Sequence, residues 1–210
     1  MHNYAPFEMK SDDDKATFVA ARRFANLFVT GPNGPEAAHV PMILRNDEQG
    51  RLILEGHVAR SNPLATLAAN GVRALAIFNG VDAYVTPSLY PSKKVHGKVA
   101  PTWNYVAVQV TGELHTFEDA AQLRDQLEAL TDTMEAGLPA PWAVADAPPE
   151  FTAKLLNAIT GVRMVVETME GIRKLSQNQR QPERDGVLTG LSQSDDPVAR
   201  LVASEMSKEV

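Results

Sequence analysis

Cysteine is absent from the sequence. Its absence excludes disulfide bonds, metal sites built on thiolates and a cysteine nucleophile in any catalytic mechanism. A metal site would have to be assembled from histidine and carboxylate side chains. The chain has only 5 histidines, so each of them can be followed individually as a candidate ligand.

The sequence also lacks a long hydrophobic run and an excess of positive charge. No stretch approaches the roughly 18 apolar residues that a spanning helix requires, and residues 1–10 lack a basic region followed by an apolar one. We therefore expect a cytoplasmic protein without membrane contact. The formal net charge of −6 gives no chain-wide attraction for nucleic acid, although a local basic cluster would still leave DNA binding open.

What the sequence does contain is ordinary for a globular protein, with 44% hydrophobic and 22% charged residues among 210. One domain is the expectation. A first amphipathic helix is predicted from Ser11 to about Gly31, because a capping serine and three aspartates precede apolar residues that continue at helical spacing to Phe28.

Short strands dominate the next segment. Residues 39–45 and 51–57 form one predicted hairpin, and residues 72–78 and 81–85 form another around Asn79-Gly80, a dipeptide that accepts positive φ. Ser61-Asn62-Pro63 begins a short helix between them. A further strand at 105–114 completes a pattern that predicts an α+β protein, mainly β with helices, built on a small barrel.

Helices follow the barrel strands. The spacing of apolar residues predicts helices at 117–137, 150–159 and 197–206, and alternation predicts one more strand at 162–169. The predicted organisation is a single domain over residues 1–210. Its barrel core covers about 36–115 plus 161–170, with helical and loop additions at 10–30, 117–160 and 195–207.

The segment from Thr86 to Tyr105 is predicted to be a long ordered loop, because it contains three prolines, two tyrosines and Trp103. Two interpretations remain open. Lys93, Lys94 and Lys98 beside aromatic residues suit an anionic planar ligand. Alternatively the loop is a barrel lid in which Trp103 fills a gap in the core and the lysines face solvent.

A second candidate is the strand-to-helix junction at Gly56–Pro63. Free backbone N–H groups and the positive end of a helix dipole, together with Arg60 and Ser61, would suit a phosphate group. The alternative is structural, with Ser61 or Asn62 capping the helix and Arg60 solvated.

Histidines form the third candidate. His39 and His57 lie on adjacent strands of the first predicted hairpin, at similar distances from its turn. They could bind a metal, haem iron or a flat cofactor, with His96 as the only further ligand in view. Because no regular ligand spacing is present, hydrogen bonding is favoured over metal binding.

Three blocks of sequence occur in the order typical of one family. They are Gly56-His57-Val58-Ala59-Arg60-Ser61-Asn62-Pro63; Tyr84-Val85-Thr86-Pro87-Ser88 followed by Gly97-Lys98-Val99-Ala100-Pro101-Thr102-Trp103-Asn104-Tyr105; and Lys174-Leu175-Ser176-Gln177-Asn178. In these blocks the chain resembles the PaiB-type FMN-binding negative transcriptional regulators, a family of the split-barrel flavin class. The blocks span nearly the whole chain, and several separate blocks in one order make a specific match.

The resemblance implies an FMN-binding split β-barrel with an N-terminal helix and C-terminal helical additions, a homodimer with FMN at the subunit interface. Carried over residue by residue, it assigns flavin contacts to the following positions: His39, Val40, Pro41, His57, Ala59, Arg60, Ser61, Asn62, Thr102, Trp103, Asn104, Tyr105, Lys174, Ser176, Gln177 and Asn178. Arg60 and Ser61 are the leading phosphate ligands in this assignment. The family has no role for His96, and no metal is implied.

Three functions follow as hypotheses. The first is a flavin-binding repressor of transcription, although no helix-turn-helix with a basic recognition helix is evident in the sequence. The second is an FMN-dependent oxidoreductase acting on a small substrate with NAD(P)H, in which His57 or Tyr105 could donate a proton. The third is haem binding through His39, His57 or His96.

Overall fold

A computed structural model describes residues 4–208 of the chain. Its strands are β1 (Glu8–Met9), β2 (Phe24–Gly31), β3 (Gly34–Asn46), β4 (Leu52–Ala59), β5 (Val72–Val85), β6 (Thr102–Phe117) and β7 (Ile159–Lys174). Its helices are α1 (Asp12–Arg22), α2 (Pro63–Leu67), α3 (Lys93–His96), α4 (Ala120–Glu135), α5 (Pro149–Leu156), α6 (Gln181–Ser192) and α7 (Pro197–Lys208). No helix within residues 4–208 is long and apolar enough to cross a membrane.

The strands form one antiparallel sheet in the order β1-β7-β4-β3-β2-β5-β6, with an additional pairing between β7 and β6. That last pairing joins the sheet to itself, which is how a barrel removes its open edges. The hairpin predicted for 39–45 and 51–57 is confirmed, because β3 and β4 pair from Met42 opposite Gly56 to Asn46 opposite Leu52. The predicted α+β class, mainly β, is therefore confirmed.

The described residues divide into two units. The first contains residues 4–15, 79–108 and 170–208, and the second contains residues 16–78 and 109–169. In the second unit β2 pairs with β3 and β5, and β4 pairs with β3 and β7. Its core is made by the inward residues of these strands, among them Leu27, Met42, Leu54, Phe78 and Met164, all fully buried.

The predicted first helix was wrong over its second half. The helix α1 ends at Arg22, and Arg23 takes a left-handed φ of 52°. The following apolar residues belong to β2, in which Ala25, Leu27 and Val29 are buried on one face while Phe24 is exposed. Alternate burial of this kind is the signature of a strand, and it decides the conformation of a segment whose composition also suited a helix.

The hairpin predicted around Asn79-Gly80 was also wrong, because β5 runs without reversal from Val72 to Val85. Gly80 does not use the positive φ that a tight turn of this type needs. Burial alternates on even positions up to Phe78 and on odd positions from Ala83 onward. The buried face of the strand therefore changes near this dipeptide. One extra residue in a strand, as in a β-bulge, produces such a change.

The pairing of β6 with β7 depends on a close approach at Gly112. A Cβ atom at this position would lie 1.9 Å from the carbonyl oxygen of Val165, which is backbone and has no freedom to rotate away. Only glycine fits here, because the clash would force the two strands apart.

We therefore expect Gly112→Ala to destabilise the protein by about 1–3 kcal/mol, the usual cost of overpacking. The measurement is the urea midpoint of unfolding, with Glu113→Ala as the control. Glu113 is an exposed neighbour on the same strand, and its replacement should change stability by less than about 0.5 kcal/mol. Equal midpoints for Gly112→Ala and the wild type would show that the strands separate without cost.

Candidate functional site

A cavity lies within the first unit, between residues 90–104 and residues 174–183. Its volume is about 650 Å³, which lies in the usual range of small-molecule sites. One side of it, the polar wall, is formed by the start of β6 and the end of β7. The polar wall comprises Thr102, Asn104, Lys174, Ser176 and Asn178.

Lys174 holds the polar wall together. Its ammonium group donates to the hydroxyl of Thr102 and to the backbone carbonyl of Trp103, each at 2.5 Å, and lies 6.0 Å from the ring centre of Tyr105. A lysine has three N–H donors, so these two bonds leave one for a ligand. Burial lowers the pKa of Lys174, because desolvation disfavours the charged ammonium.

Asn104 and Ser176 form a buried pair beside this lysine. Asn104 is only 1% exposed, and its amide nitrogen lies 3.0 Å from the hydroxyl of Ser176, while its amide oxygen accepts from that hydroxyl at 3.1 Å. Ser176 has a left-handed φ of 63°, a strained conformation for a residue with a side chain. The pair fixes the turn that leads out of β7.

Gln177 has a structural role in that turn. Its amide oxygen accepts from the backbone N–H of Leu175 at 2.7 Å, and its amide nitrogen donates to the carbonyl of Arg173 at 2.5 Å. Both ends of the side chain are therefore occupied by backbone groups. The structure brings together Thr102, Asn104, Lys174, Ser176 and Asn178 at the cavity, whereas Gln177 supports them from the turn.

The prediction that residues 102–105 belong to a loop was wrong, because β6 begins at Thr102. Trp103 is 52% exposed and makes an edge contact with the exposed Tyr84, with ring centres 5.9 Å apart. Trp103 therefore fills no gap in the core. Strand alternation explains this, since Thr102 and Asn104 face the cavity and Trp103 faces the opposite way.

A second set of lining residues, named the acidic-basic wall, comes from the 90–98 segment and the start of α6. It comprises Tyr90, Ser92, His96, Lys98, Arg180 and Glu183. Burial and the nearby Glu183 carboxylate both raise the pKa of Tyr90. The ring nitrogen Nδ1 of His96 accepts from the backbone N–H of Lys98 at 3.0 Å, so the neutral ring carries its proton on Nε2.

The sequence did not reveal α6. Its first turn contains Pro182, and Gly186 and Gly190 lower its helix propensity. Those glycines serve packing, since a Cβ at Gly186 would lie 2.3 Å from the carbonyl oxygen of Leu89 and one at Gly190 would lie 2.2 Å from the Leu89 side chain. The proline and the helical spacing of Val187 and Leu191 were the available signals.

In the second unit, the strand-to-helix junction uses its backbone N–H groups internally. The side-chain oxygen of Asn62 accepts from the N–H of Leu64 at 2.9 Å, and the N–H of Arg60 donates to Ala158. The N–H of Asn62 donates to the carbonyl of Ala59. The N–H groups of Arg60, Asn62 and Leu64 are therefore already bonded within the protein, whereas the side chains of Arg60 and Ser61 are available to an anion.

Arg60 makes only a weak ion pair. Its guanidinium is half-exposed and lies 3.8 Å from Glu118, a distance at which a surface pair contributes little. Ser61 is exposed at the same junction, as is Ala59 at the end of β4. These residues leave room for a ligand on the surface of the second unit.

The two histidines of the first hairpin have separate environments. His39 is exposed and stacks on Phe24 at 6.1 Å between ring centres, next to the buried Val40 and the exposed Pro41. His57 has Nδ1 2.9 Å from the side-chain oxygen of Gln126, a residue that is 0% exposed. Gln126 is a partner that the sequence did not indicate. Among residues 4–208 no group of three or more potential ligands is placed to hold a metal.

Comparison with known proteins assigns the chain to a family. Residues 1–168 match the family model described as "Putative FMN-binding domain". This chain belongs to that FMN-binding family. The match covers most of the chain, and the cofactor of the family is FMN, as the resemblance implied.

Relatives agree with this assignment. An uncharacterized protein of Emericella nidulans is 30% identical over 200 residues, covering 80% of each chain. The "Protease synthase and sporulation protein PAI 2" of Bacillus subtilis is 26% identical over 204 residues, covering 97% of this chain and 95% of that protein. The identification from sequence blocks is therefore confirmed.

Solved structures support the split-barrel fold. The flavocytochrome Anf3 from Azotobacter vinelandii superposes with a TM-score of 0.63 at 12% identity, covering 82% of this chain and 72% of that one. The FAD and heme binding protein from Mycobacterium smegmatis gives 0.59 at 16% identity, covering 87% and 80%. At such identities the likeness concerns the fold.

The cap at Asn62 gives a test of the junction. Asn62→Ala should lower the free energy of unfolding by about 0.5–2 kcal/mol, because the N–H of Leu64 loses its acceptor. Asn62→Asp should retain the cap and most of the stability. Chemical denaturation measures both, and an Ala variant as stable as the wild type would contradict the capping role.

Proposed function

We propose that this protein is a cytoplasmic, homodimeric FMN-binding regulator that lowers transcription, with the flavin held at the subunit interface. One observation carries the FMN part of the proposal. Five residues that the resemblance assigns to the flavin, from separate segments of the chain, line one wall of a cavity of suitable size: Thr102, Asn104, Lys174, Ser176 and Asn178.

The chemistry of the cavity fits FMN. Its lining contains three cationic side chains, those of Lys98, Lys174 and Arg180, against the single carboxylate of Glu183. These cations give the cavity a net positive charge that suits an anionic ligand, while hydroxyl and amide side chains on the polar wall match the ribityl hydroxyls and the polar edge of the ring. When bound, FMN supplies electron and hydride chemistry, and the protein supplies binding and orientation.

Lys174 is the residue on which this binding mode depends most. Its remaining N–H donor and its partial burial make it an ammonium group that gains from an anionic neighbour. Arg60 and Ser61 remain our proposed phosphate ligands in the second unit, acting through side chains. Neither Arg60 nor Ser61 needs the N–H groups that the start of α2 consumes.

Lys174→Met should weaken FMN binding by about tenfold to a hundredfold, because a charge-assisted hydrogen bond is lost while the aliphatic stem is kept. The dissociation constant is measured by quenching of flavin fluorescence or by calorimetry. The matched control is Lys94→Met, which removes an exposed cation of α3 that does not line the cavity. The control should retain wild-type affinity.

The same pair of variants separates charge from structure through pH. Because the pKa of Lys174 is lowered, its ammonium loses its proton below the ordinary lysine value, and FMN affinity should fall as the pH rises through that lowered pKa. The fall should be absent in Lys174→Met. Wild-type protein that takes up no added FMN would overturn the proposal, as would Lys174→Met and Lys94→Met with equal affinities.

The regulatory role draws its support from the resemblance to the PaiB-type regulators rather than from charge. The net charge is −6, and the first turn of α1 carries Asp12, Asp13 and Asp14, which would repel a phosphate backbone. Any contact with DNA would have to come from local basic surfaces. The decisive property is therefore whether the protein prefers one DNA sequence over another, not how tightly it binds DNA.

If the protein acts directly on DNA, a fragment from its own promoter region should be retarded in gel-shift experiments at about 150 mM salt, in preference to a scrambled fragment. The comparison is made with FMN present and absent, because a flavin-dependent regulator should differ between the two states. Binding that is blind to sequence and lost at that salt concentration would count against direct repression.

A further inference from the structure

A glutamine occupies a core position of α4 between two leucines. Leu123, Gln126 and Leu130 are buried at helical spacing, and α4 packs on β4. The amide nitrogen of Gln126 is buried and has no hydrogen-bond partner among residues 4–208. Such a group costs free energy of folding, and a leucine or methionine would fill the position without that cost. The stability of the core therefore does not explain why the residue is a glutamine.

The other end of the same amide contacts His57 on β4. The side-chain oxygen of Gln126 lies 2.9 Å from Nδ1 of His57. A carboxamide oxygen only accepts hydrogen bonds, so Nδ1 carries the proton of this contact. In the neutral ring, a proton on Nδ1 leaves a lone pair on Nε2. His57 is partly exposed, and Nε2 is the ring nitrogen that the bond to Gln126 leaves for a ligand.

We propose that Gln126 is a positioning residue for His57: it holds the imidazole proton on Nδ1, so that neutral His57 presents Nε2 as a hydrogen-bond acceptor to the ring N–H of FMN. The inference rests on the proposed function, because the family resemblance assigns His57 to the flavin. It also changes the role of His57, since a neutral ring in this tautomer accepts a proton at Nε2 and does not donate one there.

The reversed arrangement of the amide makes the inference testable. If the nitrogen of Gln126 donated to Nδ1 of His57, the neutral ring would carry its proton on Nε2, and the glutamine oxygen would be the buried atom without a partner. The two arrangements therefore differ in one observable, which is the tautomer of His57 in the FMN-free protein.

Long-range proton–nitrogen correlation NMR of protein with isotope-labelled histidine distinguishes the tautomers, because protonated and unprotonated ring nitrogens differ widely in chemical shift. The chain has only 5 histidines, and the spectrum of His57→Ala assigns the signals of His57. At about pH 8.5, where imidazoles are ordinarily neutral, the wild type should carry the His57 proton on Nδ1. A wild-type proton on Nε2 overturns the inference whether or not any variant folds.

Gln126→Met removes the acceptor while it keeps a side chain of similar length. Nothing then holds the proton on Nδ1, and it should move to Nε2, where solvent accepts it. The matched control is Gln122→Met, the same replacement at an exposed position of α4, which should leave the tautomer unchanged. Urea midpoints check that both variants are folded. A proton that stays on Nδ1 in folded Gln126→Met would contradict the positioning role.

The affinity for FMN shows whether the tautomer acts on the ligand. Gln126→Met should weaken FMN binding by about twofold to tenfold, the effect of one neutral hydrogen bond, and should have no further effect in a His57→Ala background. Gln122→Met should bind as the wild type does. Unchanged or tighter binding by Gln126→Met overturns the acceptor role. A wild type that takes up no FMN, measured by absorbance, overturns the proposed function, while the tautomer of His57 still decides whether Gln126 positions it.

Discussion

The ammonium group of Lys174 is the interaction on which the cavity depends. It joins the end of β7 to the start of β6 by two hydrogen bonds, and the buried pair of Asn104 and Ser176 repeats that connection one layer inward. A half-buried cation between two strand ends has a cost, which the hydroxyl oxygen of Thr102 and the carbonyl oxygen of Trp103 offset. The strand ends are thereby fixed in place before any ligand arrives, which is how a site is preorganised.

Close approach of backbone segments explains why the other wall lies where it does. Gly186 and Gly190 let α6 approach Leu89, and this approach brings Glu183 within reach of the N–H of Ser92. Larger residues at either glycine would push the helix outward and carry Glu183 with it. The polar wall therefore depends on the hydrogen bonds of Lys174, and the acidic-basic wall depends on close packing at Gly186 and Gly190.

Turns, helix caps and helix starts were predicted correctly from the sequence, because residues close together in the chain determine them. The turn at Asn46–Arg51, the cap at Asn62 and the helix beginning at Pro197 all follow from nearby residues, and the order of three blocks was enough to identify the family. The errors arose where tertiary packing competes with propensity. Phe24–Val29 forms a strand because every second residue of it is buried in the core. Asn79-Gly80 stays extended because β5 lies between β2 and β6 in the sheet.

The candidate site shows the same division. Residue types and motif order pointed to Thr102, Asn104 and Lys174, but no local pattern pointed to Glu183 or Gln126, whose importance arises only from what surrounds them after folding. Three cations and one carboxylate line the cavity, which is therefore basic although the chain as a whole is negatively charged. Composition reports only the total charge, so it does not reveal such a local excess, which arises when folding brings Lys98, Lys174 and Arg180 together.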